Sequence, residues 1–209
     1  MGIVMDEKAE NEFAGYPALN VSIKTGQEHF HLKGQQLNVT LLDFWRWSAS
    51  DLVNNALRGQ LAEYIVAQAL SVTLKLRVEW DSYDLLTSTG IRVEVKSGAY
   101  LQSWHHKKLS VISFGIRPTK TWDATTSIYK TEVKRQSDLY VFCLLNHQDK
   151  STINPLILDQ WEFYVLPTST LNQACATQKT ITLQRIKQLG AERVSYEELA
   201  TTINDHKDF

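Results

Sequence analysis

The sequence has little of what marks a secreted or membrane protein. Its 209 residues include two cysteines, Cys143 and Cys175, and no apolar run near the roughly 18–20 residues of a membrane-spanning helix. Two cysteines do not suggest a disulfide framework, so we expect free thiols in a reducing cytoplasm. Residues 1–7 lack the basic and apolar segments of a signal peptide. These absences predict a cytoplasmic protein without a membrane anchor.

The chain also lacks a large net charge, which is −1 overall. Its charges are unevenly distributed, however. From Lys96 to Arg135, eight lysines and arginines stand against two acidic residues, so this segment carries +6 and the remainder −7. A basic segment of this kind is typical of a surface that follows a phosphate backbone.

Apolar and charged residues alternate strictly over residues 91–96. This period of two predicts a strand with one buried face, which leaves Glu94 and Lys96 together on the other face. Residues 80–87 form a second strand candidate, and the turn-forming residues 87–90 can join the two as a hairpin. The hairpin would bring Asp84 beside Glu94 and Lys96.

Two carboxylates and a lysine at adjoining strand positions suit phosphodiester hydrolysis. Carboxylates can hold Mg²⁺, a hard cation that prefers oxygen ligands, and Mn²⁺ is expected to substitute. The metal would polarise a phosphoryl oxygen and lower the pKa of a bound water. The alternative is a surface hairpin with an ordinary cross-strand ion pair.

The order of these residues resembles the PD-(D/E)xK nuclease superfamily, which has the restriction-endonuclease-like fold. Asp84 is followed by Glu94-Val95-Lys96 and then by Gln102, and a helix before the hairpin carries Glu63. Tyr83 stands where the superfamily name has proline. The resemblance covers residues 50–145 and implies an α/β fold with a mixed central β-sheet flanked by helices.

The resemblance also implies a role for each matching residue. Asp84 and Glu94 would be metal ligands, with the Val95 carbonyl as a third. Lys96 would orient or activate the attacking water. Glu63 would bind a second metal or a metal-bound water, and Gln102 would contact the attacking water or the scissile phosphate.

The basic segment supplies the expected contacts with nucleic acid. Its candidate phosphate-binding side chains are Lys107, Lys108, Arg117 and Lys120. Trp104 is expected to stack on bases. We therefore expect a nucleic-acid partner, DNA in preference to RNA, and the fold leaves a homodimer open.

Further elements follow from local patterns. We expect a hairpin of residues 21–24 with 37–41, a helix over about 50–71 capped near 48–51, a long loop over 117–131, a short helix after Pro167 and a C-terminal helix from Ser195. Strands are predicted over 109–116, 138–145, 155–158, 161–166 and 180–183. Residues 1–45 are expected to form an N-terminal extension packed on the core, and residues 46–209 the nuclease domain.

The sequence therefore predicts a Mg²⁺-dependent nuclease acting on DNA. Three alternatives stay open at this point. The same scaffold could serve a structure-specific or tRNA-directed nuclease, or a catalytically silent DNA-binding subunit. Alternatively, the chain is a protein-interaction module in which the charges are ordinary surface pairs.

Overall fold

The computed structural model describes residues 19–73, 76–77, 82–123 and 128–206. Within these ranges the helices are α1 (Leu41–Ala49), α2 (Asn55–Ala69), α3 (Thr168–Ala174), α4 (Leu183–Gln188) and α5 (Leu199–Asp205). The strands are β1 (His29–Leu32), β2 (Gln35–Thr40), β3 (Leu85–Leu86), β4 (Arg92–Ala99), β5 (Ser113–Gly115), β6 (Thr119–Asp123), β7 (Ile128–Lys134), β8 (Leu139–Leu145), β9 (Trp161–Pro167), β10 (Thr180–Thr182) and β11 (Glu192–Val194). None of the described helices is long and apolar enough to cross a membrane.

The central sheet has five strands in the order β11-β9-β8-β4-β3. Strands β4 and β8 are parallel, whereas the other neighbouring pairs are antiparallel. All seven residues of β8 are buried, as the apolar run over 138–145 predicts for a central strand. The predicted α/β class, with a mixed central sheet flanked by helices, is therefore confirmed.

A hydrophobic core lies on each face of this sheet. On one face, α2 and α5 pack against the strands, and Val93 and Val95 of β4 point into this core. On the other face, Phe114 and Phe142 lie in contact in a second core closed by α3, α4 and the β5–β10 pair. The alternation along β4 follows from this arrangement, since one set of side chains enters the first core and the next set faces away from it.

The hairpin of β3 with β4 is confirmed, with Leu85 opposite Val93. Its turn contains Gly90, whose φ of 89° lies in the left-handed region that glycine adopts without strain. The first strand is two residues long, shorter than the predicted 80–87, and Trp80 and Asp81 lie outside the described residues. Because β3 is so short, residues 94–99 of β4 have no described strand beside them on this side. We call this the open edge of β4.

The long helix predicted over 50–71 is wrong in its first part. The structure has two helices, α1 and α2, separated by residues 50–54. Asn54 caps α2 through a hydrogen bond from the Ala56 N–H at 3.0 Å. The N-cap is therefore Asn54 and not one of the predicted residues 48–51. Helix α1 was not predicted; Thr40 caps it in a capping box with Asp43.

The N-terminal hairpin also differs from its prediction. Its first strand is β1, not residues 21–24, because the turn at Lys33-Gly34 has positive φ at both positions and fixes the register on either side. Helix α1 has no buried residue, and Trp47 is 84% exposed. The division into a 1–45 extension and a 46–209 domain stays a prediction, and position 45 falls inside α1.

Several smaller expectations need correction. The strand predicted over 109–116 is reduced to β5, and the loop over 117–131 contains the β6–β7 hairpin. Residues 155–158 form no strand and lead into a 3₁₀ turn, Leu158–Gln160. The last helix begins at Leu199, since the Glu198 side chain accepts the Ser195 N–H at 2.8 Å and residues 196–198 form a turn. Strands β9 and β10 and helix α3 lie where they were predicted.

Candidate active site

Strand β4 places Glu94 and Lys96 side by side. Both are partly buried, with side-chain exposures of 20% and 31% respectively, while their neighbours Val93 and Val95 are buried. The Lys96 ammonium forms an ion pair with the Glu94 carboxylate. The strand pattern therefore produces the predicted charged face. Arg92, the next charged residue on this face, is paired with Asp138 instead.

Asp84 reaches this pair from the start of β3. Its N–H donates to the Val93 carbonyl at 3.1 Å, and its Oδ2 accepts the Val95 N–H at 2.7 Å. Asp84 thus lies against the open edge of β4, where strand pairing ends. Because the N–H and C=O of one strand residue point to the same side, the Val95 carbonyl faces this edge too. The hairpin brings together Asp84, Glu94, Lys96 and the Val95 carbonyl, as the sequence predicted.

Burial of Asp84 close to Glu94 favours the protonated form of its carboxyl group. Burial and the nearby Glu94 raise the pKa of Asp84 to about 6, despite the opposing effects of Lys96 and the Val95 N–H. Burial alone would lower the pKa of Lys96, but the carboxylates of Glu94 and Asp84 outweigh it, so the pKa of Lys96 is raised. Lys96 therefore stays protonated at neutral pH. A further cation beside Asp84 would favour its ionised form.

Glu63 lies on α2 and is near this group. Its negative charge contributes to raising the pKa of both Asp84 and Lys96. Its carboxylate, however, is held by Arg77, with Oε2 at 2.5 Å from Nε and Oε1 at 3.2 Å from Nη2. A role for Glu63 at a second metal stays a prediction, and it would require the carboxylate to leave Arg77.

The structure places Gln102 in a cavity at the far end of β4. Its Nε2 donates to the Ser110 hydroxyl at 3.0 Å and to the Ala99 carbonyl at 3.4 Å. The cavity also contains the side chains of Arg58 and Ser97. Contact of Gln102 with the attacking water or the scissile phosphate stays a prediction.

The donor groups at this site suit Mg²⁺, which keeps several water ligands, better than a metal ion that is coordinated only by protein side chains. In the described part of the chain, no three His, Cys, Asp or Glu side chains lie close enough together to hold a metal ion. Two carboxylates and a backbone carbonyl leave several coordination positions for water, and Mg²⁺ characteristically keeps several waters. Asp84, Glu94 and the Val95 carbonyl are therefore chemically compatible with Mg²⁺, and their role as its ligands stays a prediction.

The predicted nucleic-acid contacts are all on the surface. Lys107, Lys108, Arg117, Lys120 and Trp104 have exposed side chains. Two other cations of the basic segment already have partners in the protein, one buried and one on the surface. Arg135 is buried and donates to the Ile116 carbonyl at 2.8 Å and the Cys175 carbonyl at 2.9 Å, and Lys134 is paired with Glu132 at 2.8 Å. The cationic surface is thus smaller than the sequence count suggests.

Sequence reasoning missed two residues near the site. Arg58 was given no role from the sequence, but it is buried and contacts Ser97, the residue after Lys96. Tyr140 lies at the position of β8 that is in register with Glu94, and burial and the charge of Glu94 raise its pKa. Neither position carries a local pattern, because both depend on which strands and helices meet. The two cysteines are free and buried, as predicted.

The chain was compared with known proteins. A family model described as Bacteriophage T4 endonuclease IV matches residues 14–185, which is more than half of the chain. This range includes every candidate site residue named above. A comparison with curated proteins found no match.

Proposed function

This chain belongs to the phage T4 endonuclease IV family, a family of nucleases, and we propose that it hydrolyses phosphodiester bonds of DNA in a Mg²⁺-dependent reaction. The main support for a bound metal ion is that the carboxylates of Asp84 and Glu94 lie close together beside the open edge of β4. The raised pKa of Asp84 supports a cation as the missing partner. The residue order supports placement in the PD-(D/E)xK superfamily.

The residues would divide the work as follows. When bound, Mg²⁺ would polarise a phosphoryl oxygen and supply an activated water. Asp84, Glu94 and the Val95 carbonyl would hold it, and the Val95 N–H keeps the Asp84 carboxylate oriented at 2.7 Å. Lys96, which is protonated and partly buried, would hold the attacking water and stabilise the negative charge that grows on the phosphate.

Metal dependence is tested by incubating the protein with linear, circular, single-stranded and branched DNA, and with RNA. We expect cleavage with Mg²⁺ or Mn²⁺ and none with EDTA, because the two carboxylates act only through a bound cation. Undiminished cleavage in EDTA would contradict this mechanism. Preferential cleavage of RNA would contradict the proposed substrate, and tight DNA binding without any cleavage would favour a silent binding subunit.

A further inference from the structure

A cavity of about 280 Å³ lies beside the second half of β4. It is lined by Arg58 and Asn55 of α2, Ser97 of β4, and Gln102 and Ser110 of the following segment. The first lining residue of β4 is Ser97, two residues beyond Val95, whose N–H binds Asp84. The cavity and the candidate metal ligands are therefore neighbours along one strand.

Arg58 brings a positive charge to this cavity without a negative partner. It is 4% exposed, and no described carboxylate pairs with it. Its Nε donates to the Ser97 hydroxyl at 3.2 Å, Nη1 to the Val53 carbonyl at 2.8 Å and Nη2 to the Asn55 side-chain oxygen at 2.8 Å. All three partners are neutral. A guanidinium has five N–H donors, so one hydrogen on Nη1 and one on Nη2 are left for another acceptor.

Other polar groups of the cavity are also incompletely satisfied. The Ser97 hydroxyl accepts from Arg58, and the Ser110 hydroxyl accepts from Gln102, which leaves the hydrogen of each hydroxyl free to donate. The buried Oε1 of Gln102 has no hydrogen-bond partner in the described part of the chain. Because Oε1 is an acceptor, its partner would be a water molecule and not an anion. Buried polar groups are normally paired, so the unused donors of Arg58, Ser97 and Ser110 indicate a ligand with acceptor oxygens that the protein itself does not provide.

Arg135, the second buried arginine in the described part of the chain, shows a guanidinium whose donors are nearly all paired within the protein. The Arg135 guanidinium donates to four oxygen atoms, which belong to Ile116, Asn172, Cys175 and Gln178. That arginine joins the residue after β5, helix α3 and the segment after α3 as a structural crosslink. Arg58 has fewer acceptors and lines a cavity. Contacts within the protein therefore account for the burial of Arg135, whereas two N–H groups of Arg58 have no acceptor among the described residues.

We propose that Arg58, with Ser97 and Ser110, binds a backbone phosphate of the substrate strand, namely the phosphate next to the one that is cleaved. This inference rests on the proposed nuclease function. The two free hydrogens on the Arg58 guanidinium suit the paired oxygens of a phosphate, and the phosphate charge balances the guanidinium. Val95 and Ser97 are two residues apart on β4, or about 7 Å, which is comparable to the spacing of adjacent phosphates in one strand. The strand would then run along the open edge.

The test measures DNA binding in EDTA, so that it does not depend on cleavage. A set of oligonucleotides carries one neutral methylphosphonate linkage, moved one position at a time, and the cleaved position is mapped separately with Mg²⁺. We expect the parent protein to lose affinity by roughly 10- to 100-fold when the linkage beside the cleaved one is neutral. Arg58→Gln should bind unmodified DNA more weakly by a similar factor and should no longer respond to that linkage.

The matched control is Arg135→Gln, which removes a buried arginine away from the cavity. It should lower the melting temperature but keep the parent's response to the neutral linkage. A parent protein without a sensitive linkage beside the cut, or an Arg58→Gln protein as sensitive as the parent, would overturn the proposal. If Arg58→Gln does not fold, Ser97→Ala replaces it. A Ser97→Ala protein that responds less than the parent to the neutral linkage would support the proposal, and one that responds as strongly as the parent would overturn it.

Two further measurements distinguish an internal phosphate from a terminal one, and phosphate binding from DNA cleavage. Oligonucleotides with and without a 5′-phosphate should show the same Arg58-dependent difference, because the site is assigned to an internal phosphate. A difference seen only with the terminal phosphate would overturn this assignment. A parent protein that shows the Arg58-dependent linkage but cuts no DNA would overturn the proposed function while supporting a phosphate site at Arg58.

Discussion

Two lysine–glutamate pairs in this protein share the same spacing on a strand. Lys134 and Glu132 on β7 are exposed, at 52% and 65% of their side-chain surface, and such pairs contribute about 0–1 kcal/mol. Lys96 and Glu94 on β4 have the same spacing but are more buried. Lys96 is also influenced by Asp84 and Glu63. Burial and neighbouring carboxylates, rather than the pair itself, distinguish the candidate catalytic lysine.

Lys96→Ala is expected to reduce turnover by about two to four orders of magnitude. The reason is that its charge would act mainly on the transition state, whereas DNA binding depends on several phosphate contacts. Affinity for DNA measured in Ca²⁺ should therefore change little. Lys134→Ala is the matched control and should keep both turnover and affinity. Turnover of Lys96→Ala within a few-fold of the parent, in a folded protein, would contradict a catalytic role.

Asp84→Asn should stabilise the metal-free protein at neutral pH. Burial and Glu94 raise the folded-state pKa of Asp84 to about 6, above its unfolded value, so the folded state binds the extra proton at low pH. The stability contributed by this group is complete below the unfolded pKa and is lost as pH rises through about 6. Melting temperatures in EDTA should show a gain for Asp84→Asn that grows between pH 4 and about 6 and then levels off.

The control for that measurement is Asp138→Asn, which we expect to lower the melting temperature at neutral pH and not to raise it. Burial raises the pKa of Asp138, but hydrogen bonds and charge from Arg92 outweigh it and lower the pKa below its usual value. Its stabilising effect is present above the unfolded pKa and is lost in acid, so Asp138→Asn should be least stable, relative to the parent, at neutral pH. Equal pH dependence of the two variants would contradict the electrostatic description of Asp84.

The β3–β4 hairpin is the element on which the site depends. Asp84 and Val95 meet only because the turn at residues 87–90 sets the register of Leu85 opposite Val93. In this turn the Thr87 hydroxyl accepts the Ile91 N–H at 2.9 Å, and Gly90 has a φ of 89°. A change of register by one residue would exchange the two faces of the strand and separate the acidic residues.

Gly90→Ala tests this turn. A Cβ at Gly90 would meet no atom within 4 Å, so the cost comes from the left-handed backbone alone, about 1–2 kcal/mol of unfolding free energy. Turnover should fall as well, because the strain is relieved by moving the turn that positions Asp84. Denaturant unfolding and cleavage assays measure the two effects.

Gly59→Ala is the comparison variant, because it is expected to stabilise the protein whereas Gly90→Ala destabilises it. Gly59 lies within α2, and a Cβ there would also meet no atom within 4 Å. The substitution should raise the unfolding free energy by about 0.5–1 kcal/mol, since alanine is the better helix former. Stabilisation by Gly90→Ala would contradict the role of the turn.

At the scale of the whole molecule, charge is separated along the chain although the total is −1. The exposed cations Lys107, Lys108, Arg117 and Lys120 follow β4 in sequence, whereas Arg135 is used inside the fold. Phosphate contacts add up over many residues and are weakened by salt. A homodimer and a cytoplasmic location stay predictions.

Replacing Lys107, Lys108, Arg117 and Lys120 with alanine should weaken binding to all DNA sequences. The slope of log affinity against log salt should fall by about one for each side chain that binds a phosphate in the parent protein. A control with four other exposed cations replaced, namely Lys24, Arg46, Arg185 and Lys187, should keep the parental slope. A quadruple variant with parental affinity and slope would remove the basic segment from the binding surface.

The sequence alone determined the features that rest on short-range patterns. The alternation over 91–96 predicts a strand with Glu94 and Lys96 on one face, turn residues predict the hairpin that brings Asp84, and an apolar run predicts the central strand β8. These predictions are confirmed because hydrophobic periodicity, turn type and the burial of an apolar run are decided by residues close together in the chain. The same information misplaced the start of α2, since residues 48–51 have N-cap side chains as well, but Asn54 is the residue that caps the helix.

Only the tertiary structure decided which distant residues meet. Arg58 and Ser97 are 39 residues apart, and Arg135 and Cys175 are 40 apart, so no local pattern distinguishes a buried arginine from an exposed one. Packing of α2 on β4 leaves the Arg58 guanidinium in a cavity, whereas packing around Arg135 supplies an oxygen for nearly every donor. The physical reason is that burial and hydrogen bonding of a charged side chain depend on the whole arrangement of helices around the sheet.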